Sequence, residues 1–219
     1  MPFEYACFIS YPGSNRPGMQ MQKFMEAFKD ALEDKIDPYL DILCYMDTER
    51  LQGGDLYRPA LAQALCKSLC MVVMFTPKYF RKDHLFCTRE YMAMEQLETE
   101  RFTRLQRQRE DKGIIIPIMY RGADFFPEAI KNTRHCYTDA FASPHLKPAT
   151  ITDNEDCVTV LEKIAQRTHA LYDLFTNSNV DLCQDCHNFR LPTDQEVDAW
   201  RKNMHLDQPP LSQRFEALL

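Results

Sequence analysis

The chain has 219 residues, 45% of them hydrophobic and 26% charged, with a formal net charge of −6. That balance suits one globular domain with an appendage, and the negative charge excludes broad attraction to nucleic acid or an anionic membrane surface. No run approaches the ~20 consecutive apolar residues of a membrane span, and Met1-Pro2-Phe3-Glu4-Tyr5 lacks the basic and apolar regions of a secretory signal.

Strand and helix signals alternate over most of the chain. Tyr5–Tyr11 is a short apolar run that stops at Pro12-Gly13, as a buried strand entering a loop does. Met21, Phe24, Met25, Phe28 and Leu32 then recur at helical spacing and predict an amphipathic helix. Ile42–Met46 predicts a second strand, followed by the polar segment Asp47–Asp55 with its paired Gly53-Gly54. Pro59 suits a helix's first turn, and Leu61, Ala64 and Leu65 supply that helix's buried face.

The run Leu69-Cys70-Met71-Val72-Val73-Met74-Phe75 is apolar at every position, which fits a strand covered on both faces. A long helix is expected from about Cys87, with its basic end at Arg101–Lys112 read as a solvated helix terminus. Ile114–Tyr120 predicts a fourth strand, and Pro117 within it argues for an edge or a bulge. His135–Tyr137 is a short fifth candidate. Thr152 with Glu155 has the spacing of a capping box, and Val158, Leu161, Ile164, Ala165 and Tyr172 continue it as a helix. The pattern dissolves at Asn177-Ser178-Asn179, and one more helix is expected from Thr193 with Glu196 and Trp200.

Repeated βα units imply a flavodoxin-like, doubly wound parallel sheet of about five strands with helices on both faces. Residues 1–175 form this domain, and 176–219 form a small, mainly helical C-terminal extension.

Nine cysteines stand at 7, 44, 66, 70, 87, 136, 157, 183 and 186, several of them inside apolar strand runs. The odd count and the scatter predict buried free thiols in a reducing compartment, and with them a cytoplasmic location. Cys183-Gln184-Asp185-Cys186-His187 offers three zinc donors but no fourth. Its C-x-x-C-H order also matches covalent haem attachment. Packing cysteines are the plain alternative, and no metal or cofactor is expected. Neither a G-x-G-x-x-G fingerprint nor a G-x-x-x-x-G-K-[ST] loop occurs, and no nucleophile elbow anchors a Ser/His/Asp triad.

Phe86-Cys87-Thr88-Arg89-Glu90 stands at the exit of the most apolar strand. Ligands of open α/β sheets bind beyond the carboxyl ends of the strands, so a carboxylate there is placed to meet one. Three segments gain weight together: Tyr5-Ala6-Cys7-Phe8-Ile9-Ser10-Tyr11, the loop Asp47-Thr48-Glu49-Arg50-Leu51-Gln52-Gly53-Gly54-Asp55, and Phe75-Thr76-Pro77-Lys78-Tyr79-Phe80 leading to Phe86–Glu90. In this order they resemble the Toll/interleukin-1 receptor (TIR) domain family over roughly residues 4–172. The family's pattern is an F-I-S-Y strand, a D…G-D loop, and S-P-x-Y leading to W-C-x-x-E. Phe86 replaces its Trp, Thr76 its Ser, Gln52-Gly53 the Pro-Gly of many animal receptors, and the stretch from Pro77 to Cys87 is slightly longer. These departures make the chain most like stand-alone microbial TIR proteins.

The resemblance implies one of two roles. Some TIR domains are scaffolds that signal by TIR–TIR contact. Others cleave NAD at the nicotinamide–ribose bond, releasing nicotinamide and ADP-ribose, a cyclised isomer or a related signal, and use the glutamate that here is Glu90. NAD is then a substrate, and a separate effector in prokaryotic anti-phage defence would read the product. Nicotinamide leaves as a neutral group, so a single carboxylate beside an oxocarbenium-like ribose suffices. The implied substrate-binding residues are Phe8, Ser10, Tyr11, Asp47, Phe86 and Cys87, with core packing the alternative for Phe8, Tyr11 and Phe86. Arg50, Gly53, Gly54 and Asp55 would form a loop that closes the pocket or docks on a neighbouring copy. A nucleoside deoxyribosyltransferase-like enzyme shares the layout and matches these motifs less well.

Overall fold

A computed structural model describes residues 3–13, 20–46, 57–107, 113–142, 146–178 and 180–206. The chain runs β1 (Tyr5–Ser10), α1 (Gln20–Ile36), β2 (Tyr45–Met46), α2 (Tyr57–Cys66), β3 (Ser68–Phe75) and α3 (Leu85–Arg104). It continues through β4 (Ile115–Met119), α4 (Glu128–Lys131), α5 (Glu155–Thr176) and α6 (Asp194–Asn203). All strand pairs are parallel, in the order β2-β1-β3-β4. Because parallel crossovers are right-handed, the step from β1 to β2 puts α1 on one face. The return to β3 and on to β4 puts α2 and α3 on the other. α5 packs beside α1.

β3 is buried at every residue, as its unbroken apolar run requires. The α1 stripe forms as expected: Phe24, Met25, Phe28 and Leu32 are buried, and Ala31 and Ile36 complete it. Pro117 lies in β4, the edge strand, and its carbonyl faces Tyr137 and not β3, so the missing N–H costs no ladder bond to β3.

Several expectations need correcting. Among the described residues the sheet has four strands, since the fifth candidate shrinks to a single bridge between Ile118 and Tyr137. There the Tyr137 N–H donates to the Pro117 carbonyl (3.0 Å) and the Met119 N–H to the Tyr137 carbonyl (2.8 Å), and the chain then turns away. The second strand keeps two residues, Tyr45 and Met46, of the five expected from Ile42. α5 is capped by Asn154, whose side chain accepts the Cys157 N–H at 2.9 Å. Glu155 is therefore the first helical residue and does not complete a box with Thr152.

Arg101 is also misread by local composition. It is 1% exposed, and its guanidinium donates to the carbonyls of Cys66 (2.7 Å), Ser68 (3.0 Å) and Leu69 (3.2 Å). The free-thiol expectation fails at one pair, because Cys66 and Cys186 form a disulfide. Seven other cysteines are free.

The tail returns across α3. Thr193 and Glu196 make the expected reciprocal capping box at the start of α6. Trp200 packs its ring 5.9 Å from Phe80 and 5.7 Å from Tyr91, and its indole N–H donates to Glu95 at 3.2 Å. Among the described residues no helix is long and apolar enough to cross a membrane.

Candidate functional site

The chain leaves β1 in one direction and returns to β3 on its other side, so the crevice beyond the carboxyl ends of β1 and β3 is the topological switch point. Three buried polar side chains meet there. Ser10 is the last residue of β1 and is 1% exposed. After β3, Thr76 folds the chain into a tight turn: its side chain accepts the Lys78 N–H (3.3 Å) and its carbonyl the Tyr79 N–H (2.9 Å). That turn carries the Tyr79 ring inward to 0% exposure. Glu90, 3% exposed, comes from α3.

The hydrogen bonds form a directed chain. The Ser10 hydroxyl donates to Glu90 Oε2 at 2.5 Å. A serine hydroxyl has one hydrogen, so across the 2.6 Å Ser10–Tyr79 contact the phenol is the donor. Burial, reinforced by Cys87 and Glu90 nearby, pushes the Tyr79 phenol well above its ordinary range, which keeps that hydrogen in place. One oxygen of a buried carboxylate is thereby fixed by two donors in series. The arrangement is suited to presenting fixed negative charge to a cationic or electron-poor centre.

α3 begins at Leu85, which places Glu90 in the second turn and not the first. The helix dipole acts mainly on the first turn, so it accounts for little of this carboxylate's setting. Ser10 and, through it, Tyr79 hold its Oε2 in place.

Of the other sequence-chosen residues, Cys87 lies one turn before Glu90 and is fully buried. Phe86 is 44% exposed, with the Arg89 guanidinium 5.5 Å from its ring centroid. Spacing of four residues puts Phe86 on the same helix face as Glu90. Phe8 shares the Ser10 face of β1, but it sits 1% exposed in the core, stacked on Tyr45 at 5.2 Å. Tyr11 is 6% exposed just past the strand. Asp47, Arg50, Gly53, Gly54 and Asp55 lie outside the described residues.

Sequence reasoning missed Tyr79 and Arg89 as parts of this region. The signal for Tyr79 was a polar aromatic two residues after Pro77, directly beyond the most apolar strand. Arg89 is buried beside Glu90 and is held from the tail: its Nε donates to the Pro192 carbonyl (2.8 Å) and its guanidinium pairs with Asp194. Burial lowers its proton affinity, and Asp194 opposes that shift. No group of three or more His, Cys, Asp and Glu side chains among the described residues is placed to hold a metal ion.

No curated protein matches the chain. A solved structure, that of the activated Roq1 resistosome directly recognizing the pathogen effector XopQ (TIR domains), is similar at 18% identity and a TM-score of 0.38. The match covers 76% of this chain and 84% of that one. The family model for the TIR domain matches residues 7–150, a span that holds Ser10, Tyr79 and Glu90 together. On that match, the chain belongs to the TIR domain family.

Proposed function

We propose that this protein cleaves NAD at the nicotinamide–ribose bond, with Glu90 as the carboxylate that stabilises the ribosyl cation. The observation that carries this reading is the buried Glu90 at the switch point, with Oε2 fixed by Ser10 and, through it, by Tyr79. As the C–N bond breaks, its electron pair goes to the nicotinamide nitrogen, which leaves neutral. Positive charge then spreads over the ribose C1′ and ring oxygen. A fixed carboxylate beside that centre lowers the barrier without reorganising. Water attacking C1′ gives ADP-ribose and one proton, and attack by a nucleophile of the adenine gives a cyclised isomer. A separate effector reading that product would suit a role in prokaryotic anti-phage defence.

The test is incubation of purified protein with NAD, with products identified by mass spectrometry. Tyr79→Phe removes only the phenol oxygen and is expected to slow turnover about fivefold, the value of one hydrogen bond of about 1 kcal/mol. An unchanged rate would separate Tyr79 from the site.

Glu90 is 3% exposed in the single chain, so substrate entry requires neighbouring segments to rearrange. Self-association through the Asp47–Asp55 loop would supply that rearrangement. Activity is therefore expected to rise faster than linearly with protein concentration, and charge reversal at Asp55 to reduce it in a folded monomer. A constant specific rate in a strictly monomeric sample would refute this dependence. The same burial favours a second reading, a non-enzymatic TIR adaptor that works by self-association, with Glu90 serving only to tie α3 to β1.

A further inference from the structure

We propose that Cys66, Cys183 and Cys186 form a thiol–disulfide exchange site that fastens the tail to α2 and can pass its bond to a Cys183–Cys186 pair. Cys66 ends α2, and its bond to Cys186 spans 120 residues of sequence. Both sulfurs are buried, with Cys66 4% and Cys186 1% exposed. The third thiol is beside them: Cys183 Sγ donates to the Cys66 carbonyl at 3.6 Å. Cys183 and Cys186 also share one turn, closed by the Cys186 N–H on the Cys183 carbonyl at 3.0 Å. The C-x-x-C spacing thus sits on a disulfide to a distant helix, with its spare thiol against the Cys66 carbonyl.

A second observation is a buried cation beside the cluster. Arg101 is buried against it and donates to the same Cys66 carbonyl at 2.7 Å. No carboxylate among the described residues forms an ion pair with Arg101, and its Nε has no hydrogen-bond partner among them. Burial lowers Arg101 to about 10, the cost of an unneutralised interior cation. A thiolate on Cys183 or Cys66 would be its counter-ion, and cationic neighbours are what make a cysteine nucleophilic.

The charges around Cys183 set the rate. Burial pushes its thiol up to about 11, Arg101 and Lys67 oppose this, and Asp181 and Glu4 add to it. At neutral pH the thiol is protonated and the Cys66–Cys186 bond persists. When Cys183 loses its proton to solvent, its sulfur attacks Cys186 Sγ. The Cys183–Cys186 bond forms, the Cys66–Cys186 bond breaks, and Cys66 departs as a thiolate that takes up a proton. No oxidant or reductant is consumed. A cavity of about 30 Å³ bordered by Cys66, Arg101 and Leu182 has room for roughly one water, so the departing Cys66 thiolate can take up its proton there. After exchange the tail is no longer covalently tied to α2, and the tail is what holds Arg89 through Pro192 and Asp194.

The full chain, purified without reductant, would be held in graded mixtures of oxidised and reduced glutathione. Acid and N-ethylmaleimide would trap the thiols, and peptide mass mapping would assign the bonds. Oxidising mixtures should give Cys66–Cys186. Protein carrying this one bond should convert in part to Cys183–Cys186 with alkylated Cys66, in a proportion independent of the glutathione ratio because the exchange is redox-neutral, and at a rate rising about tenfold per pH unit between about pH 7 and 9. Cys183→Ser should abolish that species while keeping the oxidised protein's melting temperature. Absence of the Cys66–Cys186 bond in oxidising buffer would overturn the proposal. So would identical species and rates in wild type and Cys183→Ser. None of these readouts depends on NAD turnover.

Discussion

Glu90→Gln should lower NAD turnover on the order of 100- to 1000-fold, the usual loss when a preorganised electrostatic group is removed from a charge-separating step. Glutamine keeps the size of the side chain and a carbonyl oxygen that can still accept the Ser10 hydroxyl now bonded at 2.5 Å. What it loses is the charge. The fold should survive, because a neutral amide is cheaper to bury than a carboxylate. Thermal melts run beside NAD consumption separate the two effects.

Controls on the same helix must be chosen by environment. Glu100 is exposed and, among the described residues, accepts a hydrogen bond from Gln96, so Glu100→Gln should leave both turnover and melting nearly intact. Glu95 is half-buried under Trp200, and Glu98 is buried at 1%, so neither is neutral to stability. A folded Glu90→Gln protein that consumes NAD at the wild-type rate would refute the catalytic assignment. A wild type that consumes none in any assembled state would leave the adaptor reading.

The largest loss of stability is expected at Arg134. Its Nη1 meets Glu98 Oε2 at 2.9 Å, with side-chain exposures of 3% and 1%. Its Nε donates to the Tyr91 hydroxyl at 2.9 Å, and Glu98 Oε2 also accepts the Ile114 N–H at 2.5 Å. The pair thus ties α3 to the start of β4 and to the segment after α4. Burial disfavours the Arg134 charge, but Tyr91, Glu98 and Glu95 outweigh it and hold the guanidinium above its ordinary range.

Arg134→Met leaves Glu98 buried without its cation. Removing one partner of a buried pair costs about 3–5 kcal/mol. In a chain of this size that lowers the melting temperature on the order of 10 °C. Adding Glu98→Gln should recover much of the loss, since the uncompensated charge is gone and the amide oxygen can still accept the Ile114 N–H. A melt of Arg134→Met within a degree or two of wild type would show that the pair contributes nothing net.

Local periodicity made the framework legible. The apolar run Leu69–Phe75 can be stable only when covered on both faces, and it became the fully buried β3. The helical stripe from Phe24 to Leu32 and the Thr193–Glu196 box depend on neighbours within one or two turns, so the residues themselves specify them. The place of Glu90 in the fold was legible for a related reason: strand exit and helix start are local signals, and a helix that begins beyond β3 carries its early residues past the carboxyl edge of the sheet.

Tertiary structure decided everything that pairs across the chain. Ser10 and Tyr79 reach Glu90 from sequence separations of 80 and, through Ser10, 69 residues, because β1 and β3 lie side by side. Arg101 looked like part of a solvated basic end, yet it turns inward to three carbonyls at the start of β3. An odd number of cysteines argued for free thiols, but the count says nothing about one close pair, and Cys66 meets Cys186 because the tail folds back over α3. Hydrophobic spacing records which face of an element is buried; it does not record which polar group on another element will be waiting there, since that depends on chain reversals many residues away.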